Sequence, residues 1–136
     1  MTRLFLLDTN ICAYLINRRP AGVYERLLQH HNDGVSLSSL TVAELRYGAD
    51  KSSRPAQNHG ALDEFLVPLS VSAFDAEAAA AYGRIRGDLE RRGLPIGPLD
   101  TLIAAHALSL GAVLVTNSVR EFARVPGLRV ENWADA

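Results

Sequence analysis

Four carboxylates could share chemistry although they lie far apart in the chain: Asp8, Glu44, Asp100 and Glu121. Asp8 ends the apolar run Leu4-Phe5-Leu6-Leu7, and Glu121 follows the apolar run Ala112 to Val115. Glu44 comes soon after Val35-Ser36-Leu37-Ser38, and Asp100 follows Gly97-Pro98. Oxygen-only ligands, with no cysteine or histidine at matching positions, suit Mg²⁺ or Mn²⁺ rather than zinc. Acids gathered in one crevice repel one another unless a cation sits between them. Each acid also has a plainer reading. Asp8, in Asp8-Thr9-Asn10, can cap a helix. Asp100 can complement a positive helix end, and Glu44 can be a first-turn helix acid. Glu121 can be a solvated residue paired with Arg120 or Arg124.

The elements around these residues decide between the readings. Leu4 to Leu7 is short and apolar without interruption, as in a strand buried on both faces of a parallel sheet. Ile11 to Ile16 reads as a short helix, and Ala21 to His31 as another that Asn32-Asp33-Gly34 stops. Val35 to Ser38 is a short strand, after which Ser39 or Thr41 can cap a helix bearing Val42, Leu45 and Ala49. Lys51 to His59 is a polar loop or joint, Leu62 to Leu66 continues a helical hairpin, and Leu69-Ser70-Val71 is strand-like. Asp75 to Arg92 is the longest helical run, with Ala78, Tyr82, Ile85 and Leu89 as its buried stripe. Gly97-Pro98 opens a helix whose apolar face is Leu99, Leu102, Ile103, Ala107 and Leu110, ended by Gly111. Ala112 to Val115 is a second buried strand, Val119 to Arg124 a short helix, and Leu128-Arg129-Val130 an edge strand. Trp133 is expected to seal the tail against the body. Strands alternating with helices give an α/β fold, a central parallel sheet flanked by helices. In such a sheet, strand ends and the starts of the following helices lie on one side. That rule delivers all four acids to one crevice.

Size and composition narrow the rest. A chain of 136 residues is expected to be one domain, residues 1–136, burying roughly two thirds of its unfolded surface. Its net charge of -1 gives no global field to attract a polyanion. A metal and local arginines must then do so, and Arg84, Arg86, Arg91 and Arg92 are the candidates. Against that, Asp88 and Glu90 on the same helix make a solvated charged face an equal reading. One cysteine, Cys12, leaves no internal disulfide or cysteine-based zinc cluster. No leader-like start is visible, and no apolar run approaches the ~20 residues of a membrane span. A cytoplasmic protein is expected. His106 reads as a core-edge residue, and His30, His31 and His59 carry no signal.

Four blocks, in order, resemble the PIN-domain ribonucleases, and specifically the VapC toxins of bacterial toxin–antitoxin pairs. They are Leu7-Asp8-Thr9-Asn10, Leu40-Thr41-Val42-Ala43-Glu44-Leu45 with Tyr47-Gly48, Ile96 to Ala107 around Asp100, and Leu114 to Phe122, continuing to Trp133. The resemblance implies an endoribonuclease dependent on Mg²⁺ or Mn²⁺, with Asp8, Glu44, Asp100 and Glu121 on its acidic quartet. Thr9 and Thr116 match positions that orient carboxylates or water, with Asn10 beside them, and Asn117 or Ser118 shares the corner of Glu121. The resemblance further implies a homodimer and a VapB-type antitoxin that blocks the cleft. It is nearest the subgroup that cuts initiator tRNA in the anticodon loop, so tRNA is the expected substrate. Two rivals remain: a phosphatase with Asp8 as nucleophile, and a PIN-like scaffold that binds RNA or protein without catalysis. The first normally pairs its aspartate with another acid two residues on, where this chain has Asn10. A nucleotide-binding module is weaker, because no glycine-rich phosphate loop follows Asp8 or Val115.

Overall fold

A run of four apolar residues with no polar partner face can only be satisfied between two layers, and Leu4–Leu7 (β1) takes the centre of the sheet. The computed structural model describes residues 3–30 and 33–134. From β1 the chain turns at Asp8 into α1 (Thr9–Asn17) and α2 (Ala21–Gln29). β2 (Gly34–Ser38) leads into the hairpin of α3 (Ser39–Asp50) and α4 (Pro55–Leu66), and β3 (Ser70–Ser72) into α5 (Ala76–Arg91). Then follow α6 (Pro98–Leu110), β4 (Val113–Val115), α7 (Val119–Phe122) and β5 (Val130–Glu131).

The strand order is β3-β2-β1-β4-β5, with every neighbouring pair parallel. Alternation along β1 and β4 sorts their side chains between two layers. Leu6 and Leu114 pack with Ala81, Ile85 and Leu89 of α5 and with Ile103 of α6. Phe5, Leu7, Val113 and Val115 face Ile11 and Leu15 of α1, Val23 of α2, and Trp133. Trp133 is fully buried, and its Nε1–H donates to Glu131 Oε1 at 3.1 Å, so it closes the tail as expected.

Local signals set most boundaries. Asp75 Oδ1 accepts from Ala78 N at 3.0 Å and caps α5. Gly111, at φ +64, ends α6 in the left-handed region where a side chain would be strained.

Four expectations shift. Ser38, not Ser39 or Thr41, caps α3, its Oγ accepting from Leu40 N at 3.1 Å. The polar stretch before Leu62 is helical from Pro55, because proline at a first helical position has no N–H to lose. The last strand is Val130–Glu131 rather than Leu128 to Val130, with Glu131 paired to Val115. The stripe expected on α6 is too narrow, for Thr101 and Ile103 to Ala107 are all buried. The expected helix end at His31 and the stop at Asn32 lie outside the described residues.

Candidate active site

The chain passes from β1 to β2 on one side and returns to β4 on the other, so the sheet's topological switch point lies between β1 and β4. A crevice opens at the carboxyl ends of strands at such a point. Asp8 stands there, its backbone N–H donating to the Val115 carbonyl at 3.0 Å. It is only 8% exposed. Its Oδ1 accepts from Ile11 N at 2.9 Å, so the plainer reading is true: Asp8 caps α1. A cap and a ligand are compatible, because the carboxylate has two oxygens.

Charge separates the two roles. Burial pushes the Asp8 carboxyl above the ordinary range. The Thr116 hydroxyl and the Ile11 and Asn10 N–H groups oppose that rise, while the charge of Asp100 adds to it. The N–H donors alone would hold a capping carboxylate in the depressed range, so the rise here is the work of burial and of Asp100. Thr116 Oγ1 accepts from Ser118 N at 3.0 Å, which leaves its own proton for Asp8.

Asp100 lies in the first turn of α6, half-buried. Its carboxyl is also held above the ordinary range, by burial first, then by the charges of Glu121 and Glu44. Acids from four separate segments therefore sense one another across this crevice. Among the described residues none of the four has an arginine, lysine or histidine within ion-pair distance. The pairing with Arg120 or Arg124 that the plainer reading of Glu121 offered is not formed among the described residues. Glu44 is exposed and lies in the second turn of α3 rather than the first, since Ser38 starts the helix earlier.

The donor set fits a hard dication. Among the described residues no three histidine, cysteine, aspartate or glutamate side chains are already gathered around one point. Mg²⁺ does not require such a cage, since it takes one or two carboxylates and keeps waters for a substrate phosphate. Asp8 and Asp100 are the anchored pair; Glu44 and Glu121 are exposed, with longer stems able to swing in.

Comparison with known proteins settles the family. The PIN-domain pattern matches residues 5–128. Over 131 residues the chain is 46% identical to ribonuclease VapC2 of Rickettsia felis, covering 96% of this chain and 98% of that protein. It shares 47% identity, with the same coverage, with the tRNA(fMet)-specific endonuclease VapC of Shigella flexneri. The chain is a PIN domain of the VapC family. Its fold superposes with a TM-score of 0.91 on the crystal structure of VapBC2 from Rickettsia felis bound to a DNA fragment from their promoter. That match, at 44% identity, covers 96% of this chain and 98% of the other. PIN-domain nucleases are in general dependent on divalent metal.

Around the acids of this PIN domain, the supporting residues fall as follows. Thr9 begins α1, half-buried, and Asn10 is exposed with its backbone N–H turned to Asp8. Asn117 is exposed, and its Nδ2 donates to the Tyr14 hydroxyl at 2.9 Å.

The arginines divide. Arg86 is bound to Glu90 at 2.9 Å and to the Tyr82 hydroxyl at 2.7 Å. Arg92 is bound to Asp88 and to the Arg124 carbonyl at 2.8 Å. These two are engaged in holding α5 and its exit. Arg84 and Arg91 are exposed, seven residues apart and so on one face of α5.

A concavity of about 650 Å³ lies among Leu15, Tyr24, Leu27, Phe65 and Leu69. It contains none of the four acids and is separate from the crevice. Sequence reasoning missed His106, which is fully buried rather than at the core edge.

Proposed function

We propose that this PIN domain is a divalent-metal-dependent endoribonuclease acting as the toxin of a toxin–antitoxin pair. One observation carries the reading. Asp8, only 8% exposed, and the half-buried Asp100 stand together at the switch point with no cationic side chain within ion-pair distance among the described residues, and burial first, then acidic neighbours, holds both above the ordinary carboxylate range. Asp8 and Asp100 would hold Mg²⁺ or Mn²⁺, with Glu44 and Glu121 as further ligands. When bound, the ion lowers the pKa of a water and screens the charge that builds on a scissile phosphate. Thr116 orients the Asp8 carboxylate by donating to it, and the Ile11 N–H fixes the same group from the other side. Asp100 is set by the first turn of its helix. Glu44 and Glu121 flank the crevice, where a carboxylate can also orient the attacking water.

The substrate is RNA, and the Shigella flexneri relative's name makes tRNA(fMet) the first choice. The partner is a VapB-type antitoxin, as the VapBC complex of the Rickettsia felis relative supports. A homodimer is the expected assembly. Among the described residues no helix is long and apolar enough to cross a membrane, and a toxin that acts on tRNA works in the cytoplasm.

The test is cleavage of total RNA and of initiator tRNA with mapping of the new ends, with Mg²⁺ and with chelator. Discrete Mg²⁺-dependent ends support the reading. RNA that stays intact under both conditions leaves the non-catalytic scaffold.

Of the four candidate arginines, Arg84 and Arg91 have no side-chain partner among the described residues and can hold flanking phosphates, since α5 ends beside the start of α6. Replacing both with alanine should weaken RNA binding and flatten the salt slope by about 0.7 per lost single-strand phosphate contact. An unchanged slope, measured by fluorescence anisotropy from low to high salt, would assign them to the solvated face.

A further inference from the structure

His106 is a buried polar side chain that the proposed chemistry does not use. It lies on α6 six residues past Asp100, about 9 Å along the helix axis. Only 1% of it is exposed. Its Nδ1 is 2.8 Å from Ser38 Oγ. Ser38 Oγ also accepts from Leu40 N as the cap of α3, which leaves it a proton and a second lone pair, so its link to Nδ1 forms with either imidazole tautomer. The ring also meets Phe74 edge-on, with centroids 5.4 Å apart, and Phe74 N donates to Ser39 Oγ at 3.2 Å. Three segments at the carboxyl edge of the sheet thus meet on one imidazole: the β2–α3 turn, the β3–α5 connection and α6.

We propose that His106 is a positioning residue that ties the serine cap of α3 to α6, and so fixes the helix bearing Glu44 relative to the helix bearing Asp100. The ring is not there for packing alone. Among the described residues its Nε2 finds no hydrogen bond of normal geometry, an expense that an apolar side chain of similar size would avoid. Burial holds the imidazole below its usual pKa, against the opposing pull of Asp75 and a weak approach of the Ala73 backbone. Dication binding is sensitive to this spacing because its ligands come from different helices, and displaced supporting groups cost affinity.

The inference rests on the metal-nuclease reading, and the test separates the two. Three variants are compared: His106→Asn, whose amide oxygen can stand where Nδ1 stands; His106→Gln, which reaches toward Nε2 instead; and His106→Leu. The Mn²⁺ dissociation constant is measured by electron paramagnetic resonance of the free ion, with circular dichroism as the check on folding. The Mg²⁺ dependence of kcat and KM on initiator tRNA is the second readout. His106→Leu and His106→Gln should weaken Mn²⁺ binding about tenfold, with His106→Asn within about twofold of the wild type. Ser38→Ala should match His106→Leu, and the double variant should lose no more, because paired groups are not additive. If His106→Leu fails to fold, the contrast between asparagine and glutamine decides. Equal affinities for Asn and Gln variants, or wild-type affinity in a folded leucine or glutamine variant, would overturn the role of His106 and leave the nuclease reading standing. A wild-type protein that binds no Mn²⁺ would remove both.

Discussion

Asp8→Asn should lower RNA cleavage on the order of 10³-fold, the loss of about 4 kcal/mol of transition-state stabilisation. In divalent-free buffer at neutral pH the same variant should unfold at a higher temperature than the wild type. The opposite signs follow from one cause. Asparagine keeps an oxygen for Ile11 N, so the cap of α1 survives. What disappears is a negative charge that burial disfavours, with Asp100 adding to the penalty.

The folded protein holds the Asp8 proton more tightly than the unfolded chain does. Below the ordinary carboxylate pKa both states are protonated, and Asp8 costs nothing. As pH rises through the raised folded value, stability falls, and at neutral pH the full penalty is present. Every tenfold difference in proton affinity between the folded and unfolded states is worth about 1.4 kcal/mol. A change of about 1 kcal/mol moves the midpoint by roughly 4 °C at this chain length. Activity runs the other way, because only the ionised carboxylate can serve as a ligand. At Mn²⁺ far below its dissociation constant the acid limb of kcat/KM should therefore lie above the ordinary carboxylate range, and saturating ion should move it down. Calorimetry of the two proteins from pH 4 to 8, with cleavage rates on the same samples, checks both signs. A variant that cuts RNA at the wild-type rate, or melts earlier than the wild type at neutral pH without metal, contradicts this account of Asp8.

Divalent ions should reverse the penalty. At a hundred times its dissociation constant, Mn²⁺ should stabilise the folded protein by about 2.7 kcal/mol. The gain should grow from pH 4 to pH 8, because Asp8 and Asp100 must release protons to bind the ion. Chelator should abolish cleavage, and Mn²⁺ should restore it. Asp100→Asn should keep the fold while losing most of the metal-dependent rise in melting temperature. Differential scanning calorimetry with and without Mn²⁺ at both pH values measures this. Equal stabilisation of the wild type and both aspartate variants would place the ion elsewhere on the protein.

The parts of this fold that could be read from the chain are those specified by residues next to one another. Leu4 to Leu7 runs into Asp8 as an unbroken apolar strand with a cap at its end, and both are found. Asp75 before α5, Pro98 at the start of α6 and Gly111 at its end are local signals too. Once parallel strands are inferred, topology rather than contact places Asp8, Glu44, Asp100 and Glu121 on one side. What escapes depends on packing that sequence spacing does not carry. Pro55 reads as a breaker although it occupies a position where proline begins a helix. Ser38, at the end of a strand, could serve as its last residue or as the next helix's cap, and the hydrogen bond to Leu40 N decides for the cap. That choice moves Glu44 out of the first turn. His106 is misread because α6 packs against both the sheet and α5, so burial spreads around it and hides the face on which the imidazole meets Ser38. The arginines of α5 look equivalent as charges, and only the partners of Arg86 and Arg92 distinguish them from Arg84 and Arg91.

Anomalous diffraction from crystals grown with Mn²⁺ reaches the central claim without passing through an assay. A peak within bonding distance of Asp8 and Asp100 carboxylate oxygens, with Glu44 or Glu121 turned toward it, is the predicted result. Mn²⁺ bound only at other sites, with Asp8 and Asp100 left unliganded at saturating ion, would contradict it.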